Sequence, residues 1–180
     1  MMYITDNSRI PSREELSTPE EITNEIPLDK ESSKLIFGAR RSISQILHRQ
    51  DDRVIVVVGP CSIHDPKAAL EYAKLLKDFS SSVENELMVV MRVYFEKPRT
   101  TIGWKGLIND PRLDNSFKIN EGLRISRKLL KDIADLGMPT GTEFLDLISP
   151  QYVSDLVCWG AIGARTCLLY TSDAADDVIS

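Results

Sequence analysis

The chain has 180 residues, the length of about one domain, and hydrophobic residues make up 42% of it. Charged residues account for 27% and the net charge is −5, which excludes a disordered chain and a broadly basic nucleic-acid-binding surface. No apolar run is long enough to span a bilayer, and the first residues lack the basic and apolar regions of a secretory signal. Three cysteines without CxxC spacing exclude a disulfide framework and a zinc finger and predict a cytoplasmic protein.

The N-terminal segment differs in character from the rest of the chain. Residues 1–33 are polar, contain prolines and show no sustained period, which predicts an extended arm with one short helix near 18–25. From Ser33 onward, apolar residues recur at helical spacing and predict a helix that ends near His48.

A regular alternation of strands and helices follows. Val54–Val58 is an unbroken β-branched run, and its apolar character on both sides predicts a strand buried on both faces. Further strands are predicted at Leu87–Val93, Thr140–Leu145 and Ala161–Arg165. The sequence therefore predicts an α/β fold with a parallel sheet. It leaves open a (β/α)8 barrel, of which four strands are half, and a doubly wound sheet.

The helices between these strands carry end signals. Asp65-Pro66 predicts a helix start, because Asp caps the free N–H groups and Pro suits the first turn. A helix over about 119–136 is predicted to end at Gly137. Ser149-Pro150 predicts the start of a short helix that reaches about residue 157. Cys158 lies in an apolar stretch and is assigned to the core.

The most informative polar feature is a cluster of cations after the second strand. Residues 92–105 of this acidic chain contain one anion, Glu96, and four cations: Arg92, Lys97, Arg99 and Lys105. Functional side chains of parallel sheets gather at the carboxyl ends of the strands, and arginine and lysine suit phosphate and carboxylate oxygens. The cluster therefore predicts a cup for a small, multiply anionic substrate. Lys105, on the long loop, is better interpreted as a solvated side chain.

Two other strand ends carry reactive side chains. Cys61 directly follows Gly-Pro and can be a metal ligand, a nucleophile or an inert thiol, and His64 could share a metal with it. Glu143 can be a general base, a metal neighbour or an ion-pair partner for Arg92 or Lys97.

Four segments closely resemble class I 3-deoxy-D-arabino-heptulosonate-7-phosphate (DAHP) synthases. They are GPCSIHD at 59–65, MRVYFEKPRTT at 91–101, GWKGLINDP at 103–111 and WGAIGART at 159–166. The resemblance covers roughly residues 1–166. It implies a (β/α)8 barrel with an N-terminal extension that condenses phosphoenolpyruvate with erythrose 4-phosphate, releases phosphate and opens the shikimate pathway to chorismate and the aromatic amino acids.

The resemblance also implies roles for individual residues. Cys61 matches a metal ligand, and a cysteine ligand favours manganese, iron, cobalt or zinc. The phosphoenolpyruvate site is matched by Arg92, Lys97, Glu143, Gly163, Ala164 and Arg165, of which the first three are expected to be catalytic. The erythrose 4-phosphate site is matched by Pro98, Arg99 and Thr100. A feedback amino-acid site is matched by Asp6, Asn7, Phe144, Leu147, Pro150 and Gln151.

The resemblance further implies partners and domains. The apolar side chains of Phe144 and Leu147 favour phenylalanine over tyrosine as the effector, and the family forms homo-dimers or tetramers. Residues 1–50 are expected to be a regulatory or oligomerisation extension and residues 51–166 a partial barrel. No nucleic-acid or membrane partner is expected.

The family pattern stops after Thr166. The family continues there with further strand–helix units that carry the remaining metal ligands, so we expect residues 167–180 to be a non-native tail. A half barrel with unpaired edge strands is expected to be inactive and poorly soluble by itself.

The residues permit two other interpretations. One is a Schiff-base phosphosugar aldolase that uses Lys97, which borohydride trapping would reveal. The other is a non-catalytic, truncated regulatory paralogue that binds an aromatic amino acid, which binding without turnover would support.

Overall fold

The computed structural model describes residues 14–99 and 102–163, and four parallel strands form its sheet in the order β1-β2-β3-β4. The strands are β1 (Val54–Val58), β2 (Leu87–Arg92), β3 (Thr140–Phe144) and β4 (Trp159–Ile162). The order is sequential, without the reversal point that a doubly wound sheet contains. The described part of the chain is therefore an α/β half barrel.

Helices precede the sheet and connect its strands. They are α1 (Pro19–Glu25), α2 (Lys30–Leu47), α3 (Pro66–Ser82), α4 (Ile119–Asp135) and α5 (Pro150–Val153), with a 3-10 turn at Ser154–Leu156 after α5. The predicted short helix in the arm and the predicted strand–helix alternation are confirmed. No helix in the described ranges is both long and apolar enough to cross a membrane.

Residues predicted to begin or end helices are found at helix ends in the structure. The Asp65 carboxylate accepts hydrogen bonds from the N–H groups of Lys67 at 2.8 Å and Ala68 at 3.3 Å, so it caps α3. Gly137 follows α4 with φ +76°, a conformation that favours glycine. Helix α2 begins three residues before the predicted Ser33, because the Asp29 carboxylate accepts a hydrogen bond from the Ser32 N–H at 2.8 Å and caps the helix there.

Three predictions about elements need correction. Strand β1 is not buried on both faces, since Val54 is 59% exposed and Val58 38% exposed. In the described residues β1 pairs with β2 alone. The β-branched run therefore indicated a strand, but not how much of its surface other elements bury. Strand β4 begins at Trp159 rather than Ala161. The helix after Ser149 gives way to the 3-10 turn after only 4 residues.

The core lies between the sheet and helices α3 and α4, and α1 and α2 pack against it. Cys158 is 8% exposed, which confirms its assignment to the core, and burial raises the pKa of its thiol to about 11. Arg127 of α4 is fully buried and joins the arm to the barrel: its guanidinium donates to the carbonyls of Ile26 and Tyr152 and to the Asp155 carboxylate.

Candidate active site

Four of the predicted site residues lie along the carboxyl edge of the sheet. Arg92 is the last residue of β2, Glu143 the penultimate residue of β3, and Gly163 directly follows β4. Cys61 comes three residues after β1. Because the four strands are parallel, these side chains belong to one end of the half barrel, which is where (β/α)8 enzymes place their chemistry.

Arg92 is held in place by the turn after β1. Its Nη1 donates to the carbonyl of Pro60 at 3.3 Å, and its guanidinium lies 3.9 Å from the centroid of the Tyr94 ring. The backbones approach closely here, because a Cβ on Gly59 would lie 2.5 Å from the Arg92 carbonyl oxygen. The contacts fix one end of the guanidinium and leave most of its N–H groups for an anion.

Lys97 and Cys61 meet although 36 residues separate them. The Lys97 ammonium donates to Cys61 Sγ at 2.9 Å and to the Cys61 carbonyl at 3.4 Å. This hydrogen bond and the positive charges of Lys97 and Arg92 lower the pKa of the Cys61 thiol. Cys61 is exposed to solvent, so a sulfur whose thiolate form is favoured lies accessible beside Lys97 and Arg92.

A second loop holds the backbone that carries Lys97. The Lys97 N–H donates to the Lys105 carbonyl at 3.0 Å, and Glu96 and Gly106 form an antiparallel bridge. Pro98 and Arg99 follow and are exposed, while Thr100 lies outside the described residues. Residues 95–97 are thereby fixed as a short extended segment above the end of β2.

Replacing Gly106 by alanine is expected to destabilise this arrangement. Gly106 has φ +111°, and an added Cβ would lie 2.1 Å from the Phe95 carbonyl oxygen. We expect the free energy of unfolding to fall by roughly 2–4 kcal/mol, measured by urea denaturation. Gly38→Ala is the matched control, because Gly38 lies within α2 with nothing within 4 Å of an added Cβ. It is expected to stabilise the chain slightly. Equal behaviour of the two variants would contradict the prediction.

Glu143 is half-buried, and Gly163 lies beside it. A Cβ on Gly163 would lie 3.5 Å from Glu143 Oε1. The ion-pair alternative for Glu143 is not realised, since none of the ion pairs in residues 14–99 and 102–163 includes it. Ala164 and Arg165 lie outside the described residues.

The described residues contribute few metal ligands. Among them no group of three or more His, Cys, Asp and Glu side chains could hold a metal ion. His64 is exposed and lies edge-on to the Trp104 ring, with 6.5 Å between ring centroids. Cys61 is accessible and its thiol ionises readily, so its chemistry fits that of one soft donor to a divalent metal.

The described residues matched to an effector site lie at the end of β3, in the turn that follows it and at the start of α5. Phe144 packs against the core, Leu147 is 46% exposed, and Pro150 begins α5. Gln151 is exposed and donates to the Leu147 carbonyl at 3.5 Å. Asp6 and Asn7, like the proposed tail at 167–180, lie outside the described residues.

Sequence reasoning missed the role of Glu96, which it treated only as the one anion among the cations. The structure buries this side chain to 9% exposure next to Asp146. Desolvation, together with the neighbouring Asp146 charge, raises the pKa of Glu96 to about 7. No sequence signal distinguishes it from a solvated glutamate, because its partners come from distant parts of the chain.

Comparison with known proteins places this geometry in context. The profile of the DAHP synthetase I family matches residues 23–171. The Phe-sensitive phospho-2-dehydro-3-deoxyheptonate aldolase of Escherichia coli K12 is 56% identical over 166 residues, which are 92% of this chain and 47% of that protein. The phospho-2-dehydro-3-deoxyheptonate aldolase of Amycolatopsis methanolica is 56% identical over 89% of this chain and 79% of its own length.

A solved structure agrees with the sequence comparison. The phospho-2-dehydro-3-deoxyheptonate aldolase from Francisella tularensis SCHU S4 superposes with a TM-score of 0.84 at 55% identity. The alignment covers 87% of this chain and 46% of that one. The chain thus spans about half the length of the Escherichia coli and Francisella relatives.

Proposed function

Because the chain belongs to the DAHP synthetase I family, we propose that it supplies the β1–β4 part of an active site that condenses phosphoenolpyruvate with erythrose 4-phosphate, yielding DAHP and phosphate. The observation that carries this proposal is the convergence of Arg92, Lys97 and Cys61 at the carboxyl edge of the sheet, with Lys97 Nζ 2.9 Å from Cys61 Sγ.

Arg92 and Lys97 suit phosphoenolpyruvate, which carries a phosphate and a carboxylate. The guanidinium of Arg92, fixed by Pro60 and Tyr94, binds one anionic group through two N–H donors. Lys97 adds a point charge beside it. Holding two anionic substrates in one cup offsets their mutual repulsion and orients them for reaction.

The carbon–carbon bond forms when the enol carbon of phosphoenolpyruvate attacks the aldehyde carbon of erythrose 4-phosphate. The aldehyde oxygen gains negative charge in this step and then a proton. Water adds to the carbon that bears the phosphate, and the bond from that carbon to the phosphate oxygen then breaks, so that phosphate leaves and the ketone of DAHP forms. The Lys97 ammonium stabilises that developing charge or relays the proton. Arg99 is exposed next to Pro98, and its guanidinium suits the phosphate of erythrose 4-phosphate.

We propose Cys61 as the ligand that this part of the chain gives to a divalent metal. When bound, such an ion supplies Lewis-acid polarisation of the aldehyde carbonyl. The contribution of the chain itself is a sulfur whose thiolate form is favoured by Lys97 and Arg92, in an accessible position after Gly59-Pro60. Manganese, iron, cobalt and zinc all accept such a ligand.

Because the half barrel is expected to be inactive by itself, the test is phosphate release by a complete barrel, in which this chain up to residue 166 is joined to the C-terminal half of the Escherichia coli relative. Every activity measurement uses this complete barrel. We expect phosphate to appear only when phosphoenolpyruvate and erythrose 4-phosphate are both present, and a chelator to abolish the reaction. Phosphate release that does not depend on erythrose 4-phosphate would contradict the proposal. So would a borohydride-trapped substrate on Lys97, which indicates a Schiff base.

We also propose regulation by an aromatic amino acid. The Escherichia coli relative is named Phe-sensitive. Phe144 and Leu147 provide an apolar wall next to the start of α5, which suits phenylalanine better than the phenol of tyrosine.

A further inference from the structure

A cavity lies beneath the segment that carries Lys97. It has a volume of about 230 Å³ and lies between the arm, the loop after β2, α4 and the turn that leads into α5. Its walls are mostly apolar, but four polar side chains reach it: Glu96, Asn109, Asp146 and Ser149. None of these four was singled out as part of the substrate cup.

Two carboxyl groups face each other in this cavity. Asn109 Nδ2 donates to Glu96 Oε1 at 3.4 Å, and Ser149 Oγ donates to Glu96 Oε2 at 3.2 Å. Asp146 lines the same cavity, and its Oδ1 accepts from the N–H groups of Ile148 at 2.6 Å and Ser149 at 2.7 Å. Two carboxylates in this space repel each other, and a proton held between them removes that repulsion.

No cationic side chain of the described residues lines this cavity. The arm contributes Leu16, and α4 contributes Ile119 and Leu123. The other titratable group there is Tyr152 of α5, whose hydroxyl donates to the Ser17 carbonyl at 2.7 Å. A shared proton is therefore the arrangement that this cavity favours, in agreement with the raised pKa of Glu96.

Lys97 directly follows Glu96 in the chain. Successive side chains of an extended segment project to opposite sides, so Glu96 enters the cavity while Lys97 reaches Cys61. The bridge between Glu96 and Gly106 and the Lys97 N–H bond to Lys105 hold the backbone between them. The anchorage of Glu96 thereby sets the direction in which Lys97 points.

We propose that Glu96 is a positioning residue for Lys97, and that Glu96 and Asp146 hold the segment in place by sharing one proton across the cavity. The expected effect on catalysis rests on the proposed function, whereas the positioning of Lys97 by Glu96 does not. Loss of the proton places a second negative charge in a buried space without a counterion, which pushes the two carboxylates apart and loosens residues 95–97.

The first test is the pH profile of Glu96→Gln, because glutamine presents an N–H to Asp146 where protonated Glu96 presents an O–H. We expect kcat/KM for phosphoenolpyruvate in the wild type to fall about tenfold between about pH 6 and pH 8.5, with a midpoint near the Glu96 pKa of about 7. Glu96→Gln is expected to remove this decrease. Glu121→Gln, on α4, serves as the control and should keep it. A Glu96→Gln profile like that of the wild type would overturn the proposal.

The titration of Glu96 can also be followed through the stability of the protein, without an activity assay. The folded pKa of Glu96, about 7, lies above its ordinary value of 4.5, so the native state binds the proton more tightly. The melting temperature is expected to fall as the pH rises from about 4.5 to 7 and this contribution to stay constant above that. Glu96→Gln is expected to lose this dependence; its persistence in the variant would contradict the shared proton.

A second test detects a change in the position of Lys97 from the rate at which the Cys61 thiol is alkylated. At about pH 7, Lys97→Met is expected to slow alkylation of Cys61 severalfold, because the thiolate loses its partner. Glu96→Ala is expected to do the same and Glu96→Gln to leave the rate unchanged, with Cys61 followed by mass spectrometry. Normal Cys61 reactivity in Glu96→Ala would overturn the positioning role. The expected reactivities without any DAHP formation would contradict the proposed function alone.

Discussion

Replacing Arg127 by methionine is expected to lower the free energy of unfolding by about 2–4 kcal/mol. The guanidinium is fully buried and donates to Ile26 O at 2.8 Å, Tyr152 O at 2.7 Å, and Asp155 Oδ1 and Oδ2 at 2.7 and 2.8 Å. Methionine fills much of the space but leaves the two carbonyls and the carboxylate without their donor. The two carbonyls then bear the cost of desolvation, whereas the Asp155 carboxylate, which is 38% exposed, can be hydrated.

The consequence extends beyond α4, because Arg127 joins three parts of the chain. Ile26 follows α1, Tyr152 belongs to α5, and Asp155 lies in the 3-10 turn that leads to β4. Urea denaturation measures the loss, with Arg124→Met as the matched control one turn earlier in α4. Arg124 also pairs with a carboxylate, that of Glu25, but at the surface, so its loss is expected to be much smaller. Similar losses in the two variants would contradict the importance of burial.

Replacing Lys97 by methionine is expected to lower kcat/KM for phosphoenolpyruvate by about 10²–10³. The variant loses the positive charge next to Arg92 and the hydrogen bond to Cys61 Sγ at 2.9 Å. Without that bond the pKa of the Cys61 thiol returns towards its ordinary value, so the sulfur is also a poorer metal ligand near neutral pH. Both effects act on the same step and reinforce each other.

Lys105→Met provides the matched control for charge. Lys105 belongs to the same cation cluster. Its backbone carbonyl accepts from the Lys97 N–H and from Asn109 Nδ2, whereas its ammonium makes no hydrogen bond or ion pair with residues 14–99 and 102–163. The variant is expected to retain kcat/KM within about threefold. Melting curves of both variants show whether each is folded. Equal losses of activity in the two variants would indicate that total charge, rather than the position of Lys97, matters.

The sequence by itself determined the order of the elements and the identity of the cation cluster. These features depend on local rules: a β-branched run forms a strand, Asp65-Pro66 begins a helix, and Gly137 ends one. Sequential strands joined by helices must be parallel, and parallel strands bring Cys61, Arg92 and Glu143 to one edge. The convergence of these three candidate residues is therefore predictable from the sequence.

Only the tertiary structure decided how each polar group is solvated and paired. Arg127 had a partial signal, because it lies four residues after Leu123 and three before Leu130 on the buried face of α4. Glu96 had none: its partners Asn109 and Ser149 are 13 and 53 residues away, and their contact depends on closure of the loop and the turn. Burial is a property of all the surrounding elements together, so a local pattern predicts the strand or helix but not which side chain loses its water.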